Sequence, residues 1–381
     1  MEDNIKYNYD DITIVPEVVT DIESRQECNP FDEEGYLPIF ASCMSSVVSI
    51  DNKNKFNENH IRCVIPRTYS IDERINQLIN DKVNFVAFSM NEAETLFIDM
   101  KSFLTYYCVK MAEDDKLKIC IDLANGHMLK LLTLAKKIKE IWGDHILIMT
   151  GNIANPETYM KYELAGIDYV RCSIGSGNVC STSSNTAIHM PVFSLLKEIY
   201  ELKQKYNCKC KIVADGGIKG FRDIQKALIY ADYVMIGSLF NKAMESAGKT
   251  TYGKSYWNIR GYKIIRPLKS LFTFGKEIPK DKYDECFKLV KQNKLTVWKE
   301  LYGMSTKIAQ AVIAEANNQT LTKLKTSEGL LKYQRVEYNI AGWVENEIDF
   351  LRSAMSYTNS RNLTEYKDSR WVRITQIKYN N

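Results

Sequence analysis

The chain has 381 residues, with 51 Lys and Arg against 47 Asp and Glu and a formal charge of +4. That near balance excludes a nucleic-acid-binding surface as the organising feature, and no apolar run approaches the roughly 18 to 20 residues that span a bilayer. Ten cysteines are scattered without a framework: Cys208 and Cys210 are separated by one residue, and no Cys-x-x-Cys pair or Cys/His cluster at zinc spacing occurs. Reduced thiols are therefore expected, and the acidic, polar start Met1-Glu2-Asp3-Asn4 is unlike a signal peptide, which predicts a cytoplasmic chain.

Residues 1–36 are polar with short β-like pieces such as Asp11–Pro16, and read as an N-terminal arm or hairpin packing under the main domain. Eight short, β-branched apolar runs follow: Leu37–Ala41, Cys63–Pro66, Val83–Ser89, Lys118–Leu123, His145–Met149, Tyr169–Ile174, Lys211–Ala214 and Tyr233–Ile236. Between them lie segments with apolar residues at three- and four-residue spacings, including Ile71–Asp81, His127–Trp142, Pro156–Ala165, Pro191–Lys205 and Gly220–Tyr230. This alternation implies parallel strands with helical crossovers, and eight units over 37–240 favour a closed (β/α)8 barrel over an open doubly wound sheet.

Residues 249–296 break the pattern and read as a lysine- and aromatic-rich insertion, more a solvated excursion than an anion-binding surface. Residues 301–331 hold Tyr302-Gly303-Met304-Ser305, a polar stretch and Thr326-Ser327-Glu328-Gly329. An amphipathic helix over Gly342–Ser356 and a closing strand over Trp371–Thr375 complete a single domain in 340–381.

Polar punctuation falls where barrel strands end: Ser42 and Ser45, Arg67, Asp122–Gly126, Gly151-Asn152, Asp215-Gly216-Gly217 and Gly237-Ser238. In such barrels the chemistry sits at that end. Asp215-Gly216-Gly217 suits a sugar phosphate, since a carboxylate accepts from two hydroxyls while glycines turn backbone N–H groups to a phosphate. After the sixth strand, Gly175-Ser176-Gly177-Asn178-Val179-Cys180-Ser181-Thr182 uses two glycines to turn tightly and deliver a thiol and a hydroxyl.

The run Ser173-Ile174-Gly175-Ser176-Gly177-Asn178-Val179-Cys180-Ser181-Thr182 resembles the cysteine loop of the IMP dehydrogenase and GMP reductase family, usually G-I-G-P-G-S-x-C-T-T, and departs from it at Ser173, Ser176, Asn178 and Ser181. Outside the insertion the resemblance covers the chain in order. It implies that Cys180 adds to C2 of a purine nucleotide, with Thr182 and Glu328 moving protons; that Asp215, Gly216, Gly217, Gly237 and Ser238 hold ribose and phosphate; that Asn178 also binds the substrate; and that Met304 and Ser305 meet the base. On the cofactor side it implies Asp122, Arg67, Lys325, Ser327 and Gly329 facing NADPH. A K+ ion on the carbonyls of Gly175, Gly177 and Cys180, and a homo-oligomeric state, are implied as well.

The reductase branch, in which GMP loses its 2-amino group and becomes IMP, is favoured over the dehydrogenase branch. Lys307–Lys325 lacks the arginine of the dehydrogenase flap, and the segment between the third and fourth strands is too short for that branch's regulatory pair. Departures fall mainly on the cofactor side: Met44-Ser45-Ser46-Val47 replaces M-D-T-V, Pro66-Arg67 replaces H-K, and Ser89-Met90-Asn91-Glu92 stands for S-S-G-T. These keep open an IMP dehydrogenase-type reaction, a modified or deoxy purine nucleotide as substrate, or a catalytically silent nucleotide-binding protein.

Overall fold

The computed structural model describes residues 5–98, 115–254, 282–292, 295–317 and 329–374. Of the expected site residues, Lys325, Ser327 and Glu328 lie outside them. After β1 (Ile12–Ile14), eight parallel strands close a barrel in sequence order: β2 (Ile39–Ala41), β3 (Arg62–Ile65), β4 (Phe85–Phe88), β5 (Leu117–Ile121), β6 (Ile146–Ile153), β7 (Tyr169–Cys172), β8 (Lys211–Asp215) and β9 (Tyr233–Ile236), which pairs back with β2. All eight predicted runs are strands of this barrel.

The helices form where local chemistry satisfies their first turns. Ser70 and Glu73 make a reciprocal capping box before Ile71–Asn80, Ser89 and Glu92 do the same before Met90–Phe97, and Asn155 caps Pro156–Leu164 with proline in the first turn. Glu92 also receives the fully buried Arg74 at 2.7 Å, so the residues standing for S-S-G-T serve as a helix start and an ion-pair anchor.

Inside the barrel the side chains fill in layers. Phe40, Phe85, Tyr169 and Tyr233 pack edge-on or tilted at one end, with centroids 5.1–6.1 Å apart. Val64, Ala87, Cys120, Met149, Val213 and Met235 belong to the same buried cluster. Burying each valine, methionine or phenylalanine among them contributes roughly 1.5–3 kcal/mol, before the entropy of ordering it. Below the aromatic layer, Asp32 accepts from Arg62 at 2.5 Å and from Tyr233 at 3.3 Å, so part of the N-terminal arm does close the amino-terminal end of the barrel.

The arm also travels further than expected. Asn8 Oδ1 caps the backbone of Val192 at the start of Val192–Tyr206, Asp10 pairs with Lys219 and Arg222, and the Tyr9 ring backs onto Gly217 at the opposite end. Strand β1 then pairs antiparallel with β13 (Trp371–Arg373), whose Trp371 donates to the Tyr230 hydroxyl at 2.7 Å.

The segment read as an excursion begins and ends in sheet. β10 (Thr250–Lys254), β11 (Leu295–Tyr302) and β12 (Leu331–Arg335) form an antiparallel sheet beside the barrel. The helix Tyr283–Lys291 packs Phe287 and Val290 with Leu295, Val297, Met244 and Val336. The inward face of β11 alternates Leu295, Val297, Lys299, Leu301, and the lysine in that row hides the strand's period. After Ser305, Thr306 caps the helix Lys307–Ala316.

Candidate active site

The carboxyl ends of the strands surround a buried charge network. From β7, Arg171 reaches across the barrel and donates to Asp122 Oδ1 at 3.0 Å, and its other nitrogen lies 3.7 Å from Asp215 Oδ2. Arg67 donates to Asp122 Oδ2 at 3.2 Å, the Cys43 thiol to Oδ1 at 3.5 Å, and Asn152 Nδ2 to Asp215 Oδ2 at 2.8 Å. Every member of the network has a partner of opposite polarity.

The two aspartates respond differently to that setting. Burial alone would raise the carboxyl of Asp122, but Arg171 and Arg67 outweigh it and hold the group below its ordinary value. Burial wins at Asp215, whose carboxyl is raised although Arg171 and Asn152 oppose the shift. Asp122 is thus a fixed anion, and Asp215 an acceptor whose charge is costly until a hydroxyl donor arrives. The sequence indicates both aspartates, whereas Arg171 escapes it inside an otherwise apolar strand; a lone charge within a barrel strand was the available signal.

The loops after β7 and β8 interlock. Gly175, Gly216 and Gly217 have φ of +76°, +101° and +77°, and a Cβ on Gly216 would stand 3.3 Å from the Gly177 nitrogen. Only glycine permits this approach, which brings the backbones of both loops together as an anion cradle requires. Ser173 adopts φ +123°, where the resembled motif has glycine, and its hydroxyl bonds that of Ser176 at 2.7 Å. The carbonyl of Gly175 accepts from Ser183 Oγ at 2.9 Å and that of Gly177 from the Cys180 N–H at 3.0 Å.

Cys180 closes the loop, half-buried, with its thiol 3.3 Å from Thr182 Oγ1. Thr182 opens the short helix Thr182–Thr186, which fixes its backbone relative to the thiol. Gly329 forms an isolated β-bridge with Cys180, and the Leu330 N–H donates to the Val179 carbonyl at 2.9 Å. A Cβ on Gly329 would meet Thr306 at 2.8 Å and Ser305 Oγ at 3.3 Å, so the cysteine loop, the residues after Gly303 and the strand entering β12 converge.

The remaining expected residues ring the same mouth. Gly237 follows β9, and a Cβ there would lie 2.7 Å from Met44 Sδ; Ser238 begins the next short helix. Met304 and Ser305 follow β11, whose last residue accepts from Ser46 Oγ through its carbonyl at 3.2 Å and contacts Ser45 Oγ through its hydroxyl at 3.2 Å. The serines standing for M-D-T-V therefore position the loop bearing Met304. Asn178 is exposed on the rim and is held by Lys332, a lysine that no sequence motif marks.

Among the described residues no cluster of His, Cys, Asp or Glu is arranged to hold a metal, and no helix is long and apolar enough to cross a membrane. The barrel mouth thus brings together a thiol, a neighbouring hydroxyl, a buried carboxylate and glycine-turned backbone, at the end of the strands where such barrels carry their chemistry.

Comparison with known proteins agrees with this geometry. Residues 7–294 match the family model of the IMP dehydrogenase / GMP reductase domain. The chain is 26% identical over 346 residues to a GMP reductase of Caenorhabditis elegans, covering 89% of this chain and 82% of that protein. It is 29% identical over 270 residues to a GMP reductase of Buchnera aphidicola, covering 67% and 74% of the two chains. To an inosine-5′-monophosphate dehydrogenase of Chlorobaculum tepidum it is 30% identical over 259 residues, 68% of this chain and 45% of that protein. The match spans the whole barrel, and the chain belongs to the IMP dehydrogenase / GMP reductase family.

Proposed function

We propose that this protein is a GMP reductase-like oxidoreductase that converts GMP to IMP and ammonia with NADPH. The observation that carries the reading is the 3.3 Å contact between the Cys180 thiol and the Thr182 hydroxyl, in a loop bridged to Gly329. A nucleophile needs a neighbour that takes its proton, and departing ammonia needs one that returns it. A hydroxyl two residues away on a helix start can pass a proton in either direction, between the sulfur or the leaving amine and the carboxylate that the resemblance assigns to Glu328. Sulfur adds to C2, the C2–N2 bond breaks, and the amino group leaves as ammonia once protonated. The resulting carbon–sulfur bond is cleaved when C2 is reduced, which frees the thiol.

Asp215 accepts from the ribose hydroxyls, and the backbone of the Gly175–Gly177 and Gly216–Gly217 turns faces the 5′-phosphate. Binding energy from these non-reacting parts holds C2 over the sulfur. Asp122 and Arg67, ion-paired at 3.2 Å, offer adjoining acceptor and donors that fit a carboxamide such as nicotinamide carries. NADPH, when bound, supplies the hydride. The carbonyls of Gly175, Gly177 and Cys180 extend the reading to a monovalent cation; two of them already accept one internal hydrogen bond and retain a lone pair each.

The test is a single-turnover assay with GMP and NADPH that follows loss of reduced-cofactor absorbance together with ammonia release. IMP formation in the wild type, abolished in Cys180→Ala, is the expected result. No cofactor oxidation with GMP, alongside turnover of IMP with an oxidised dinucleotide, would move the protein to the dehydrogenase reaction.

A further inference from the structure

The rim of the cradle carries a cation that neither the barrel packing nor the proton-transfer chemistry requires. Lys332 Nζ donates to the backbone carbonyl of Asn178 at 2.5 Å and to Asn178 Oδ1 at 3.0 Å. Both acceptors are neutral. Among the described residues no carboxylate pairs with this ammonium, whereas Lys219 and Arg222, near the β8 loop, both pair with Asp10. Asn178 directly follows Gly177, the residue whose backbone meets Gly216.

Lys332 sits on β12, three residues after Gly329, and the same stretch is stitched to the cysteine loop by the Leu330–Val179 hydrogen bond and the Gly329–Cys180 bridge. The resembled motif has serine at position 178, a hydroxyl that donates. An asparagine whose oxygen is turned to Lys332 has given that acceptor to the lysine, which leaves its amide hydrogens and the ammonium as the donors on this side. An ammonium held by two neutral oxygens has one N–H direction left for a further acceptor.

We propose that Lys332 is an anion-binding residue of this site, supplying the positive charge that the glycine cradle lacks and recognising the phosphate monoester of the nucleotide. The proposal rests on the nucleotide reading above and deepens it by assigning the phosphate's counter-charge. It also gives the phosphate a second task. A dianion drawn to Lys332 tightens β12 against the residues just before Cys180, so the part of the substrate that does not react helps align the part of the protein that does.

The experiment compares wild type, Lys332→Met and Lys332→Arg by titration calorimetry with GMP, guanosine and inorganic phosphate, at low and at moderate salt. Loss of one charge-assisted hydrogen bond predicts GMP binding weakened about tenfold or more in Lys332→Met, guanosine binding little changed, and a shallower salt dependence. Lys332→Arg should restore most of the affinity. Equal weakening of GMP and guanosine would overturn the proposal, because Lys332 would then only brace the loop; unchanged GMP binding would overturn it too. If the wild type binds inorganic phosphate through Lys332 but ignores GMP, the purine reading fails while the anion site stands.

Discussion

Two of the cations buried in this protein, Arg171 and Lys299, are treated in opposite ways. Arg171, in the barrel, lies between Asp122 and Asp215 with the Cys43 sulfur 3.6 Å away; burial pulls its pKa down, but its anionic surroundings push it well above its ordinary value. Lys299, in β11 of the side sheet, is equally buried yet has the Ser246 carbonyl at 2.7 Å and the face of the Tyr283 ring at 4.9 Å, and burial draws it down to about 7 despite the nearby Glu245. A buried charge survives where geometry supplies counter-charge, and is shed where it does not. The barrel cation sits between two carboxylates, whereas the side sheet tolerates a lysine because that lysine can become neutral.

The sharpest way to break this contrast is to remove the barrel cation. Arg171→Met leaves two buried carboxylates facing each other, and loss of one partner from such a network costs about 3–5 kcal/mol. Urea unfolding should show that loss, with Arg171→Lys recovering part of it, since a single ammonium reaches one carboxylate but cannot span both. A methionine variant as stable as the wild type would mean that the network is not what holds the barrel mouth.

Asp215→Asn is expected to act in the opposite sense on stability. The folded-state carboxyl lies above its unfolded value, so the folded protein binds its proton more tightly, and ionising the group costs stability as pH rises through that window. The asparagine variant should melt higher than wild type at neutral pH without nucleotide, and the gain should vanish in acid. Its affinity for GMP should nevertheless fall about tenfold or more, because an amide no longer gives two charged acceptors to the ribose hydroxyls. A variant that is both stabler and binds equally well would remove Asp215 from the site.

What could be read from the sequence divides along the same line. The barrel strands were legible because each is a local apolar run between turn residues, and Cys180 with Thr182 because the two sit in one short loop. Arg171 was not legible, since the groups that justify it, Asp122 and Asp215, come from other strands and only closure of the barrel brings them together. The side sheet failed for a related reason. Its strands β10 and β11 pair across a long intervening stretch, and Lys299 interrupts the alternation that marks a half-buried strand. Lys332 looked like one more surface lysine until β12 was laid beside the cysteine loop.

The mildest test concerns Lys299 itself. Its folded-state value is about 7, below that of an ordinary lysine, so between there and the usual lysine range the unfolded chain carries a proton that the folded chain has released. Stability should therefore rise with pH across that window. The groups facing Lys299 do not reverse the sign: the Glu245 carboxyl is itself raised by burial and accepts from the Ile340 N–H at 3.1 Å, and Tyr283 presents its ring. Lys299→Met removes the titration and leaves only the Ser246 carbonyl short of a donor. Melting temperatures taken from about pH 6 to about pH 9 should converge between wild type and variant as pH rises, with the variant ahead at the acid end. Parallel curves would mean that Lys299 keeps its charge in the fold, and the contrast with Arg171 would then lie in unseen counter-charge rather than in neutralisation.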